Sequence, residues 1–128
     1  MLTCSSHRSP REVTIDFVGS VIEDDSVAIE ELLDIDYMVE KRLKDMPMFD
    51  TTLTHQKLRD IIIGNLTKDG GTRAFWSEQR LVVNDEVIKD DTAYVEFTLM
   101  DQKQGGIQYL TIYLYRQSDG NWRVFKYL

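Results

Sequence analysis

A segregated α+β domain is the fold class this sequence predicts, with three to four N-terminal helices packed on one face of a curved antiparallel sheet of about four strands. Three observations predict it. Apolar residues recur at helical spacing from Ser9 to Leu66, they alternate with polar residues from Leu81 onward, and the period changes beside the glycine pair Gly70-Gly71. The chain has 128 residues, 42% of them hydrophobic and 29% charged, which suits one domain with its own core. Residues 1–8 read as a flexible tail and 9–128 as that single domain.

The helical half can be justified piece by piece. Ser9-Pro10-Arg11-Glu12 is a helix start: Ser9 can cap, Pro10 suits the first position, and Glu12 can reach back to complete a capping box. Val13, Phe17, Val18, Val21 and Ile22 then form an apolar stripe, and the helix is expected to end near Glu23. Ser26 is the expected cap of a second helix that turns Ile29, Leu32 and Leu33 inward. A break near Asp34 to Asp36 leads to a segment with Tyr37, Met38 and Leu43. Pro47 closes that segment, because the residue before a proline is pushed out of the helical region. A helix from about Thr54 to Leu66 carries Leu58, Ile61, Ile62 and Leu66 inward. Lys68-Asp69-Gly70-Gly71 is expected to end the helical half.

The remainder reads as hairpins. Leu81 to Ile88 is a strand, 89–92 a turn, and Ala93, Val95, Phe97 and Leu99 alternate with Tyr94, Glu96, Thr98 and Met100. After a turn over 101–106, Leu110, Ile112 and Leu114 alternate with Tyr109, Thr111, Tyr113 and Tyr115. Pairing Phe97 with Leu110 sets Val95 against Ile112 and Ala93 against Leu114, one wholly apolar face that belongs under the helices. For the last strand, after Ser118-Asp119-Gly120-Asn121, two parities are open. A two-residue turn sends Phe125 and Tyr127 to the core; a bulged three-residue loop sends Trp122 and Val124 there, and the second is preferred.

Charge narrows the function classes. Residues 1–50 carry 12 acids and 5 bases, whereas 51–128 carry 10 of each. Between Glu23 and Asp36 stand seven acids and no base, a surface that repels phosphate backbones and anionic lipid, so nucleic-acid binding is not expected. No apolar run reaches the roughly 18 residues of a membrane span. One cysteine and two histidines argue against a structural zinc site, and Asp34-Ile35-Asp36 lacks the glycine of a calcium loop, where Val39 stands. No cofactor is implied. The expected location is cytoplasmic; the alternative is a lipid-anchored envelope protein, because Leu2-Thr3-Cys4-Ser5-Ser6 is similar to the end of a bacterial lipoprotein signal with Cys4 as the lipidated residue.

Asp91-Thr92-Ala93-Tyr94-Val95-Glu96-Phe97, the terminal Asp119-Gly120-Asn121-Trp122-Arg123-Val124, and the helical spacing before Gly71 together resemble the nuclear transport factor 2-like superfamily from about Ser9 onward. This is the cone-shaped fold of ketosteroid isomerase and scytalone dehydratase. The resemblance implies a conical cavity between helices and sheet, and Phe17, Val21, Leu33, Tyr37, Trp76, Phe97, Leu110 and Ile112 are the expected lining. The strand positions facing it are all apolar, so none can transfer a proton, and the catalytic spacing of ketosteroid isomerase is not found. Asp34, Asp36 and Tyr37, at the helix break, and His55 are the remaining candidates for an acid–base site.

Tyr94, Tyr109, Tyr113 and Tyr115, interleaved with Glu96, Thr98 and Thr111, make the opposite sheet face polar and aromatic, as interfaces are. The expected protein is therefore a non-enzymatic domain that binds a small apolar ligand or a protein partner and forms a homodimer through this face. Two alternatives stand beside it: a small cofactor-free isomerase or dehydratase, and an exported lipoprotein domain.

Overall fold

A computed structural model of the chain describes residues 8–45 and 54–127. Cys4, His7 and Pro47 lie outside the described residues. The first helix, α1 (Pro10–Ile22), begins with the expected capping box: Ser9 Oγ accepts from Glu12 N at 3.2 Å, and the Glu12 carboxylate accepts from Ser9 N at 3.0 Å. These bonds favour the ionised carboxylate and hold the Glu12 pKa below its ordinary value. Helix α1 buries Val13, Phe17, Val18 and Val21 along one stripe, with Thr14 returning its hydroxyl to the Arg11 carbonyl at 2.8 Å.

Helix α2 (Ser26–Leu32) is capped by Asp25, not by Ser26; Asp25 Oδ1 accepts from Ala28 N at 3.1 Å. An ionised carboxylate at that position also meets the positive end of the helix dipole, which favours it over a hydroxyl one residue later. The chain breaks at Leu33-Asp34 and restarts as α3 (Ile35–Asp45), with Asp34 Oδ1 accepting from Tyr37 N at 3.1 Å. Helix α4 (His55–Leu66) is capped by Thr54 and buries Leu58, Ile62 and Leu66, but Ile61 is 45% exposed. A narrow stripe suffices for α4, and Ile61 lies on its flank.

The glycine pair does not end the helical half. A fifth helix, α5 (Gly71–Ser77), follows it and buries Trp76. Seven residues with one buried aromatic are too few to display a helical period, so the segment is invisible to pattern reading. Gly70 is required by space: a Cβ there would stand 2.1 Å from the Gly64 carbonyl oxygen. Arg73 on α5 then closes the far end of α1, donating from Nε to Val21 O at 3.0 Å and from Nη2 to Ile22 O at 2.9 Å. Helix α1 has no basic residue in its own last turn; the N–H groups of Glu23, Asp24 and Asp25 meet the Gly19, Val21 and Ser20 carbonyls, and Arg73 adds the charge from another helix.

The sheet is a four-stranded antiparallel meander in the order β1 (Gln79–Lys89), β2 (Thr92–Asp101), β3 (Ile107–Arg116) and β4 (Trp122–Tyr127). The register of β2 on β3 is the expected one, Phe97 on Leu110, Val95 on Ile112 and Ala93 on Leu114. All six are buried beneath the helices, as are Leu99, Trp122 and Val124. The last hairpin closes a three-residue loop over 118–120, with Gln117 N donating to Asn121 O at 2.8 Å and Gly120 at φ 89°. That sends Trp122 and Val124 inward. A bulge at Phe125, between the pairs Leu114–Val124 and Tyr113–Lys126, then reverses parity and turns Tyr127 inward as well. The preferred parity is therefore right at Trp122 and Val124, whereas of the other only Tyr127 turns inward: Phe125, the extra residue of the bulge, packs on Tyr113 and Tyr115 of the outer face.

Replacing Gly70 by alanine forces the α4–α5 link apart and is expected to lower unfolding stability by about 1–3 kcal/mol. Gly19→Ala, in the middle of α1 with open space around the new methyl, is expected to raise it by about 0.5–1 kcal/mol. Urea unfolding of both variants checks the contrast.

Candidate functional site

Seven of the eight expected lining residues, Phe17, Val21, Leu33, Trp76, Phe97, Leu110 and Ile112, are no more than 4% exposed and pack into one hydrophobic cluster. Helix α1 lays Phe17 over the sheet, α5 brings Trp76 and the bulge brings Tyr127. Their rings meet at 6.0 Å (Phe17–Trp76), 5.9 Å (Phe17–Tyr127) and 5.7 Å (Trp76–Tyr127), edge-on or tilted as aromatic quadrupoles prefer. The buried inner positions of β2 and β3 are all apolar, and Gln108, opposite Leu99, is the exposed polar residue at the end of that row. The titratable ring of this triad is Tyr127, whose phenol burial pushes up to about 12, against a small opposing effect of Arg42.

Trp76 and Leu110 reach an open groove of about 390 Å³ that Phe75, Leu99, Tyr109 and Tyr127 also line. A second groove, of about 280 Å³, lies between α3 and β4, with Tyr127 as the wall common to both. The eighth expected residue, Tyr37, is not in the cone. Helix α3 runs along the outer edge of β4, so Tyr37 turns over the sheet's other face, 5.4 Å from the Phe125 ring and 6.1 Å from that of Tyr115. It is 42% exposed.

Asp36 and His55 face each other across α3 and α4, with His55 Nε2 3.8 Å from Asp36 Oδ1. Arg59 bridges the same pair of helices to α2, 3.6 Å from Asp36 and 2.7 Å from Glu30. This is an exposed ion network; the Asp36 side chain is 71% accessible, and Tyr37 points away from it. Nothing brings Asp36, Tyr37 and His55 around one enclosed volume. Among the described residues there is also no group of three or more His, Cys, Asp or Glu side chains placed to hold a metal ion.

The outer sheet face carries Tyr94, Glu96, Thr98, Tyr109, Thr111, Tyr113 and Tyr115 together, as the period-two pattern requires. Rings run across it in contact: Tyr94 to Tyr113 at 6.2 Å, Tyr113 to Phe125 at 6.4 Å, Phe125 to Tyr115 at 5.8 Å. Lys126 Nζ sits 5.1 Å from the Tyr113 ring centre. Tyr109 is 67% exposed and Tyr94 40%.

Sequence reasoning singled out Asp34 as an acid at the helix break but missed its role as the anchor of this tier. Asp34, at the α2–α3 break, accepts a hydrogen bond from the Tyr115 hydroxyl, and Tyr115 is raised above the usual phenol range by burial and by that carboxylate. Arg123 donates from Nη2 to Glu30 O at 3.0 Å and to Leu33 O at 2.9 Å. Neither contact has a local signal, since each joins residues more than 80 positions apart.

No family model matches the chain, and no curated protein matches it either. Among solved structures, the chain is similar to a Campylobacter jejuni protein provisionally described as an NTF2-like transpeptidase. The TM-score is 0.56 at 12% identity, over 93% of this chain and 99% of that one. At that identity the likeness is one of fold, and the fold is the nuclear transport factor 2-like cone expected from the sequence. No helix among the described residues is long and apolar enough to cross a membrane.

Tyr127 yields a pH prediction. Its folded-state pKa of about 12 lies above the 10.0 of an ordinary phenol, so the folded state keeps the proton longer than the unfolded chain. The associated stability is complete below pH 10 and is lost as pH rises toward 12. Alkaline titration of phenolate absorbance is expected to show one tyrosine ionising last, and Tyr127→Phe to remove it.

Proposed function

We propose that this nuclear transport factor 2-like fold serves as a non-enzymatic binding domain, taking a small apolar ligand at the groove beside Trp76 and Tyr127 and pairing with a second copy through its outer sheet face. The observation that carries the reading is the division of the sheet: an inner face of packed aliphatic and aromatic side chains with no inward acid–base pair, and an outer face of exposed tyrosines. A catalytic cone needs a positioned proton donor or acceptor within reach of substrate. Here Asp36 and Glu30 pair with Arg59, and the groove at Trp76 sets the aromatic and aliphatic side chains of Phe75, Trp76, Leu99, Leu110 and Tyr127 beside the polar Thr72 and Gln108. Such a lining holds the apolar body of a small molecule by desolvation and offers a few polar groups to orient it.

Self-association draws support from the same face. Tyr109, Ile107, Tyr94 and Val82 are all at least 40% exposed there, an apolar tract larger than scattered surface residues provide. Asp85 and Glu96 are register partners on that face, and like charges directly opposite destabilise a strand pair. A two-fold axis along the strands lays β1 of one copy over β4 of the other. It thereby sets those acids near the partner's Lys126 side and relieves the repulsion while burying the tyrosines.

Sedimentation equilibrium tests this directly. Wild type is expected to be dimeric at micromolar concentration, and Tyr109→Glu with Tyr94→Glu to shift it to monomer by more than about tenfold in dissociation constant. A wild-type monomer across the accessible range would sink the dimer.

A further inference from the structure

We infer that the groove between α3 and β4 recognises the acidic head of an amphipathic small molecule, a carboxylate on an apolar or aromatic body, whose tail lies past Tyr127. The inference rests on the apolar-ligand reading above and names the class of ligand. Its first support is charge. In a chain of net charge −7, three cations, Lys41, Arg42 and Lys126, line this one groove of about 280 Å³. Asp45 is the opposing acid there and stands 3.7 Å from Lys41. Arg42 has no ion-pair or hydrogen-bond partner among the described residues, and Lys126 rests on the Tyr113 ring and not on a carboxylate. Among the described residues the groove thus holds net positive charge, against the sign of the molecule as a whole.

The second support is the floor. Met38, Phe125 and Tyr127 supply apolar and adaptable surface between the cations, and Tyr127 continues into the neighbouring groove with Trp76 and Leu110. A neutral apolar molecule would leave Arg42 and Lys126 idle, and a small inorganic anion would leave the floor uncovered. A molecule with both parts satisfies both. The planar guanidinium of Arg42 suits a carboxylate, which it can meet through two parallel N–H bonds. Helix α3 supplies Met38, Lys41 and Arg42 at i, i+3 and i+4, which is one face of the helix, so the set is held on a rigid element. Across the bulge, Phe125 from the outer face and Tyr127 from the inner face both border the groove, with Lys126 between them.

Phenylbutyrate and its neutral counterpart phenylbutanol are the probes, added to the full chain while backbone amide shifts are followed by NMR. The acid is expected to bind about tenfold more tightly than the alcohol, with shifts centred on 38–42 and 125–127. Arg42→Gln is expected to remove most of that preference without changing alcohol binding or the melting temperature, and Lys126→Gln to reduce it. Added salt should weaken the acid alone. Equal affinity of acid and alcohol at this groove would overturn the acidic-head inference and leave the apolar-ligand reading standing. Shifts centred elsewhere would overturn the placement, and failure of both probes to bind would overturn both readings.

Discussion

The fold depends on how the exposed edge of β4 is closed. An edge strand offers unpaired backbone groups that invite other chains, and this one is met by the α2–α3 link. Leu33 forms a parallel bridge with Val124, and Asp34 N donates to Val124 O at 2.8 Å. Arg123 crosses the same seam in the other direction to the carbonyls that end α2. Asp34 does three things from one position: its backbone pairs with the strand, one carboxylate oxygen caps α3, and the other accepts from Tyr115. The seam thereby fixes where α3 leaves the helical layer. Every feature outside the cone follows from it, including the escape of Tyr37 to the outer face and the groove that α3 leaves against β4.

Bulges set the functional faces. Without Phe125 as the extra residue, β4 would keep one parity, and either Val124 or Tyr127 would be lost from the core. With it, the strand contributes Trp122, Val124 and Tyr127 inward, while Phe125 joins the outer ring tier. A similar irregularity between Val83 and Asp85 in β1 turns Asn84 to Thr98 at 2.5 Å and places Glu86 under α1, where its carboxylate accepts from Arg11 N at 2.8 Å. That carboxylate serves a helix N-terminus, a structural use of an acid that faces the helices.

The acidic run from Glu23 to Asp36 is spent on architecture. Asp24 accepts from Lys68 N, Asp25 caps α2, Asp34 caps α3, and Glu30 and Asp36 share Arg59. Each partner lies close by in space and, for Lys68 and Arg59, far away in sequence. Charge that looks like a docking surface along the chain is therefore largely committed within the fold. The positive charge near Arg42 is the counterpart: unremarkable in sequence, and without an ion-pair partner among the described residues.

Local patterning determined the helices with long stripes, the capping box at Ser9, the β2–β3 register and the division of that hairpin into an apolar and a tyrosine face. These rest on periodicity and on neighbours a few residues apart, so the sequence carries them directly. The short helix at Trp76, the dual parity of β4, the place of Tyr37 outside the cone and the roles of Asp34, Arg73 and Arg123 were decided only by tertiary structure. Each depends on a backbone group being satisfied from a distant element, or on one extra residue in a strand. Such choices are settled when the layers pack and every buried polar group must find a partner.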